Sequence, residues 1–293
     1  MIGFVGLGNM GEPMAGRLIG SGHDLTVFDV AQAARERFAG RATVAERLLD
    51  VAGAEVVILM LPDSAVVERV VLGDGLLDRL APGTLLVDMS SSDPARTRAL
   101  APRAAERGVT LVDAPVSGGV GGARTGTLTI MAGGPAEAFA RLRPIFDALG
   151  SRVVHAGEVV GAGHAVKALN NLMSAAHLMV TSEALLAGQA FGLDPQVMLD
   201  IVNASSGRSG STETKWPKFV LTGKYDSGFG LRLMLKDMRI ALGLEQGTGT
   251  PAPVSAAAVA AWAAAAEDLP ADADHTEVAA WLSGHRDTTE HEE

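Results

Sequence analysis

Short apolar runs, each stopped by glycine, proline or aspartate, recur through the first part of the chain. Met1–Val5 runs into Gly6, Leu25–Phe28 stops at Asp29, and Val56–Leu61 is ended by Pro62 and Asp63. Leu85–Val87 and Val109–Val112 repeat the pattern. Continuous apolar runs of this length suit strands buried on both faces. Between the first two, Met14, Leu18 and Ile19 share one face of a helix. Alternation of this kind predicts a parallel sheet with crossover helices. Leu128–Ala132 and Val153–His155 are candidates for further strands, whereas seven glycines from Gly118 to Gly134 argue against regular helix there.

After Gly163 the texture changes. Ala165–Phe191 carries apolar residues throughout its length, with Lys167 and Glu183 almost its only charges. A helix that apolar is expected to be buried around most of its circumference, between domains or in a subunit interface. Pro195–Val202, Leu231–Gln246, Val254–Glu267 and Thr276–Leu282 also predict helices, the third entered through Pro251 and Pro253. The polar tail from His285 onward is expected to fray. No repeat of solenoid type is visible.

At 293 residues, the chain has room for two domains or one large one. Hydrophobic residues make up 47% and charged residues 20%, an ordinary globular balance. The net charge of −10 argues against nucleic acid as a main partner. It leaves room for a small anion held by local cations or backbone N–H groups. The absence of cysteine removes disulfides, thiolate metal sites and cysteine nucleophiles, and fits a cytoplasmic location. No basic leader precedes the first apolar run, so no signal peptide is expected, and no run reaches the roughly 20 residues of a membrane span.

The first chemistry-bearing motif is Gly6-Leu7-Gly8-Asn9-Met10-Gly11, which matches G-x-G-x-x-G between a strand and a helix. Gly6 allows the tight turn, Gly8 lets a pyrophosphate approach the backbone, and Gly11 lets helix and strand pack closely. Asp29 ends the next strand, where a carboxylate accepts from a ribose 2′-hydroxyl and repels a 2′-phosphate. Val30-Ala31-Gln32 follow and Arg35 comes only later, so NAD is expected in preference to NADP.

Asp113-Ala114-Pro115-Val116-Ser117-Gly118-Gly119 follows a strand end. Ser117 and the two glycines fit a carboxylate-binding nest, or equally a turn that merely redirects the chain. Lys167 and Asn171, four apart, share a helical face in the apolar segment. Burial would lower the lysine pKa toward the range useful in acid/base catalysis, whereas a lysine snorkelling to solvent would do nothing of the kind. His164 is a rival proton carrier ranked below it, since nothing else in the sequence orients it. Leu235-Lys236-Asp237-Met238 puts a charged pair inside an apolar helix. Asn203–Thr212, followed by Trp216, is either a substrate lip or a loop between helices. The seven histidines show no metal-ligand spacing, and no G-x-S-x-G elbow is present.

Taken together, Gly6–Ala15 (GLGNMGEPMA), Asp113–Gly119 (DAPVSGG), Gly161–Asn171 (GAGHAVKALNN) and Leu235–Met238 (LKDM) make the chain resemble the β-hydroxyacid dehydrogenases, most of all the 3-hydroxyisobutyrate type. The resemblance covers nearly the whole length. It implies an α/β Rossmann domain with a mostly parallel sheet over residues 1–160. An all-α domain over 161–293 would begin with a long connecting helix, and the assembly would be a homodimer or homotetramer. It implies Lys167 as general acid/base, Asn171 as a substrate-holding residue, and Ser117, Gly118 and Gly119 as the grip on a substrate carboxylate. Leu61, Pro62, Ser91 and Lys236 would lie against the cofactor, along with Gly6–Gly11 and Asp29.

Two positions depart from the family: Arg17, where asparagine is common, and Ser91, where threonine is frequent. Ser205–Trp216 matches no particular substrate type, so tartronate semialdehyde or a sulfonated analogue stands beside 3-hydroxyisobutyrate. Lys167 counts against an imine reductase, and the short C-terminal part against a 6-phosphogluconate dehydrogenase. A non-catalytic NAD-binding scaffold is the alternative from another class.

Overall fold

The computed structural model describes residues 1–284, so the polar tail from His285 onward lies outside the described residues. The chain divides into two compact units, Met1–Lys167 and a second beginning at Ala168.

In the first unit, the expected apolar runs are strands β1 (Ile2–Val5), β2 (Leu25–Phe28), β4 (Val56–Leu59), β5 (Leu85–Asp88) and β6 (Thr110–Asp113). With a two-residue strand β3 (Thr43–Val44), they lie in the order β3-β2-β1-β4-β5-β6, all parallel. This is the strand order of a doubly wound dinucleotide-binding fold. Beyond it, β6 and β7 (Val116–Ser117) run antiparallel to β8 (Leu128–Gly133), and β9 (Gly150–Gly157) pairs parallel to β8.

Successive strand residues point to opposite faces, and both faces are covered. Phe4, Ile58, Val87 and Val112 join one buried cluster with Met14, Leu18 and Phe146. Val5, Val57, Leu59, Leu86 and Leu111 join another with Val70 and Leu100. The covering helices are α1 (Gly11–Gly20), the short α2 (Gln32–Glu36), α3 (Ser64–Glu68) and α4 (Leu76–Arg79), then α5 (Pro94–Glu106), α6 (Gly119–Thr125) and α7 (Ala136–Leu149).

Helix α6 corrects the expectation that the glycine-rich stretch is irregular. Gly118 and Gly126 take positive φ at its two ends, while Gly122 lies where a Cβ would stand 3.1 Å from Leu128. Glycine here lets a helix lie close to the sheet. The departing residue Arg17 serves a local contact, its Nε donating to the carbonyl of Ala148 at the end of α7, at 3.1 Å.

The apolar helix α8 (Ala162–Ala190) runs through the division between the units. Within the single chain it is not buried all round, but keeps an apolar stripe open along its length: Met173 is 56% and Val180 57% exposed, seven residues apart. The second unit continues with α9 (Pro195–Asn203), α10 (Leu231–Gly247), α11 (Pro253–Asp268) and α12 (Val278–Gly284). Leu172, Leu178, Trp216, Met238 and Trp262 are among its core.

Residues 204–209 form the expected loop between helices, joining α9 to a wide helix with i→i+5 hydrogen bonding over Ser211–Val220. Trp216 is fully committed to the core: its Nε1–H donates to Ser182 Oγ at 3.1 Å, and that hydroxyl donates to the Leu178 carbonyl. A buried indole N–H requires such a partner.

Candidate active site

The glycine turn is sterically obligatory. Gly6 has φ +97°, and a side chain on it would collide with the carbonyl of Met60; one on Gly11 would collide with the carbonyl of Gly6. Gly8, by contrast, has nothing within 4 Å of where its Cβ would sit, so its backbone is open to a ligand. Leu7, Asn9 and Met10 complete the turn, and α1 starts at Gly11.

Asp29 stands immediately after β2 and ties this turn down. Its Oδ2 accepts from the Leu7 N–H at 2.7 Å and its Oδ1 from the Ala31 N–H at 2.8 Å. Arg35 lies nearer than its sequence distance suggested, with Nη1 donating to the Asp29 carbonyl at 2.7 Å. A carboxylate offers about four acceptor sites, so these two bonds leave capacity for ribose hydroxyls. Open backbone at Gly8 beside a strand-end carboxylate fits a dinucleotide.

Leu61, Pro62 and Ser91 follow the C-terminal ends of β4 and β5, the edge at which β1 delivers the glycine turn. Leu61 is fixed by its N–H donating to Ser90 Oγ at 2.9 Å, and the Ser90 N–H donates to Asp88 Oδ1 at 2.9 Å. Ser117 closes β7, paired with Thr129, and Gly118 and Gly119 follow with φ +127° and +62°. Both glycines are exposed.

The start of α8 is held by a buried carboxylate. Asp113 Oδ1 accepts from the Gly161 N–H at 2.6 Å and Oδ2 from the His164 N–H at 2.8 Å. Burial pushes the Asp113 carboxyl above the usual range, against the pull of nearby His164 and these two amides. His164 is itself buried. Its Nε2 meets the Ser90 carbonyl and its Nδ1 meets Thr97 Oγ1, each at 3.0 Å. Nothing in the sequence orients this ring; in the fold, the strand ends and α5 do so. Both of its ring nitrogens are engaged in these contacts.

Lys167 follows one turn later and is only 7% exposed. In the second unit, buried Asn171 donates through Nδ2 to Asp237 Oδ2 at 2.7 Å, and Lys236 Nζ lies 3.8 Å from the other Asp237 oxygen. Asp237 therefore orients Asn171, a role that sequence reasoning missed. The signal was present in the charged pair inside the apolar α10. Ser90 and Asp88 were missed likewise, although Asp88 and three serines, Ser90–Ser92, stand at a strand end. Among the described residues, no group of three or more His, Asp or Glu is gathered to hold a metal, and no helix is long and apolar enough to cross a membrane.

The strand order, glycine turn and strand-end aspartate define a dinucleotide-binding oxidoreductase of the doubly wound class. The comparisons with known proteins narrow this. Residues 1–157 match the model of the NAD-binding domain of 6-phosphogluconate dehydrogenase. Residues 161–282 match that of the NAD-binding region of NADP-dependent 3-hydroxyisobutyrate dehydrogenase. The chain is 43% identical to 3-hydroxyisobutyrate dehydrogenase of Pseudomonas aeruginosa, across 94% of each chain. It is 40% identical to 2-(hydroxymethyl)glutarate dehydrogenase of Eubacterium barkeri, over 88% of this chain and 86% of that one. A solved Mycobacterium tuberculosis 3-hydroxyisobutyrate dehydrogenase with L-serine superposes with a TM-score of 0.90 at 34% identity, over 96% of this chain and 98% of that one. The chain belongs to the NAD-binding β-hydroxyacid dehydrogenase family, of the 3-hydroxyisobutyrate dehydrogenase type.

Proposed function

We propose that the chain interconverts a small β-hydroxy acid and its semialdehyde, with NAD as the preferred cofactor and Lys167 as general acid/base. Residues 1–160 would serve chiefly the dinucleotide and 161–293 the substrate and subunit contacts. The observation that carries the reading is Lys167 itself, a buried lysine one turn past a helix start pinned by Asp113 and four residues before a buried, oriented asparagine. The names of related enzymes point the same way: 3-hydroxyisobutyrate, L-serine and 2-(hydroxymethyl)glutarate all carry a hydroxymethyl group beside a carboxylate-bearing carbon.

Ser117, Gly118 and Gly119 hold that carboxylate, and Asn171 positions the hydroxyl. In oxidation, neutral Lys167 takes the hydroxyl proton on Nζ as the carbinol carbon gives up its hydride; in reduction, protonated Lys167 returns a proton to the carbonyl oxygen. The bound dinucleotide supplies the hydride acceptor or donor. Gly6–Gly11, Leu61, Pro62, Ser91 and Lys236 hold it. Asp29 favours NAD because a 2′-phosphate would meet a carboxylate already fixed in place. Arg35 at the Asp29 carbonyl supports the second reading, NADP use. The exposed α8 stripe supports a homodimer or homotetramer.

The test is nicotinamide absorbance with a panel of short β-hydroxy acids, paired between NAD and NADP. Lys167→Met is expected to lower kcat by about a thousandfold or more while NADH still binds. Turnover retained in this variant moves the proton role elsewhere. A higher kcat/KM with NADP reverses the cofactor assignment.

A further inference from the structure

Within the wide helix Ser211–Val220, Lys215 presents an amine that the mechanism above does not use. Its Nζ donates to Ser174 Oγ at 2.7 Å and lies 3.3 Å from the Ser174 carbonyl. Ser174 follows Asn171 by three residues and Lys167 by seven, which at 3.6 residues per turn places all three on one face of α8. The amine is therefore carried to the same helix face as the proposed acid/base, roughly 10 Å further along the axis.

The surroundings of Lys215 do not neutralise it. Among the described residues, no carboxylate lies within ion-pair distance, 4.0 Å, of its Nζ. The acid that acts on it most, Asp274, is taken up by Ser227 Oγ at 2.8 Å, Thr276 Oγ1 at 2.6 Å and the Gly228 and Thr276 amides. Burial brings the amine down to about 8 against the opposing pull of Asp274. The neighbouring His275 adds no negative charge. Its Nδ1 lies 3.1 Å from the Phe229 carbonyl, and its buried Nε2 has no partner. A largely buried ammonium is costly unless something offsets it, and two contacts to one serine leave a third N–H donor to spend.

We propose that Lys215 binds a second anionic group of the substrate, so that the preferred substrates are β-hydroxy acids whose α-substituent ends in a carboxylate. This rests on the hydroxy-acid reading above and names the substrate class within it. The spacing suits a short arm: the three residues from Asn171 to Ser174 cover about 4.5 Å of helix axis, comparable to the reach of two methylenes and a carboxyl.

The experiment compares 3-hydroxyisobutyrate with 2-(hydroxymethyl)glutarate, which differ only in a methyl against a carboxyethyl group. In the wild-type enzyme, kcat/KM for the diacid is expected to exceed that for the monoacid by about tenfold or more, chiefly through KM, as a charge-assisted contact requires. Lys215→Met brings the ratio to about one, while Lys215→Arg, which keeps the charge, holds a several-fold preference. Oxidation of the monoacid with no advantage for the diacid overturns this inference alone, and so does a ratio that Lys215→Met leaves intact. Failure to oxidise either acid with NAD or NADP overturns the hydroxy-acid reading and this inference together.

Discussion

A buried ionisable side chain is tolerated when its surroundings favour one charge state, and at His275 they favour the neutral one. Burial and the positive charge of Lys215 bring its pKa down to about 4 from an ordinary 6.5. Between those values the unfolded chain holds more protons than the folded one, so stability falls as the pH drops from about 6.5 to about 4 and this contribution levels off below. Asp113, raised by burial, works in the opposite sense, because there the folded state holds the extra proton. Urea midpoints at pH 7, 5.5 and 4.5 are expected to fall more steeply for the wild-type chain than for His275→Asn; parallel curves would show that this ring does not govern the acid limb. None of this was legible in the sequence, where His275 is one of seven histidines without a pattern. Lys167 and Asn171 were legible because polar residues stand out in an apolar run. Asp237 was visible only as half of a charged pair, since its partner is 66 residues away.

The element that most depends on one side chain is α8. Its first turn contributes amides with no carbonyl of their own helix to bond, and Asp113 accepts two of the N–H groups around that start. The packing there leaves no slack, because a side chain at Gly163 would strike the Met131 carbonyl and the Asp113 carboxylate. Asp113→Asn keeps the size but offers one acceptor where two were used, and turns an N–H₂ toward a donor. A loss of about 2–3 kcal/mol in urea unfolding is expected; an unchanged midpoint would show that the carboxylate does not hold the helix start. Strands and long helices could be read in advance because their apolar periods are intrinsic to the segment. Helix α6 and the wide helix could not. The first depends on glycines that permit close packing on Leu128, and the second encloses Pro217 in a turn closed by Leu221 N–H to the Trp216 carbonyl. In both, the residue types argue against helix, glycine in α6 and proline in the wide one, and packing overrides that local propensity.

For the molecule as a whole, the feature without a use inside a single chain is the apolar stripe on α8. Met173 and Val180 repeat at the seven-residue spacing that keeps side chains on one seam. Exposed Phe191, Val197 and Ile201 extend the apolar surface beyond the helix end. With both stripe positions charged, in Met173→Glu combined with Val180→Glu, sedimentation is expected to report a smaller species than the wild-type protein. Equal sedimentation would place the subunit contact elsewhere. The stripe also changes what thermal stability means for this protein. Subunits that cover it against one another exchange a unimolecular unfolding equilibrium for one that includes dissociation, and mass action then enters the melting temperature. In a homo-oligomer closed over this stripe, dilution alone would lower it, with no change of sequence, buffer or ligand, and a melting temperature would carry information only alongside the concentration at which it was taken.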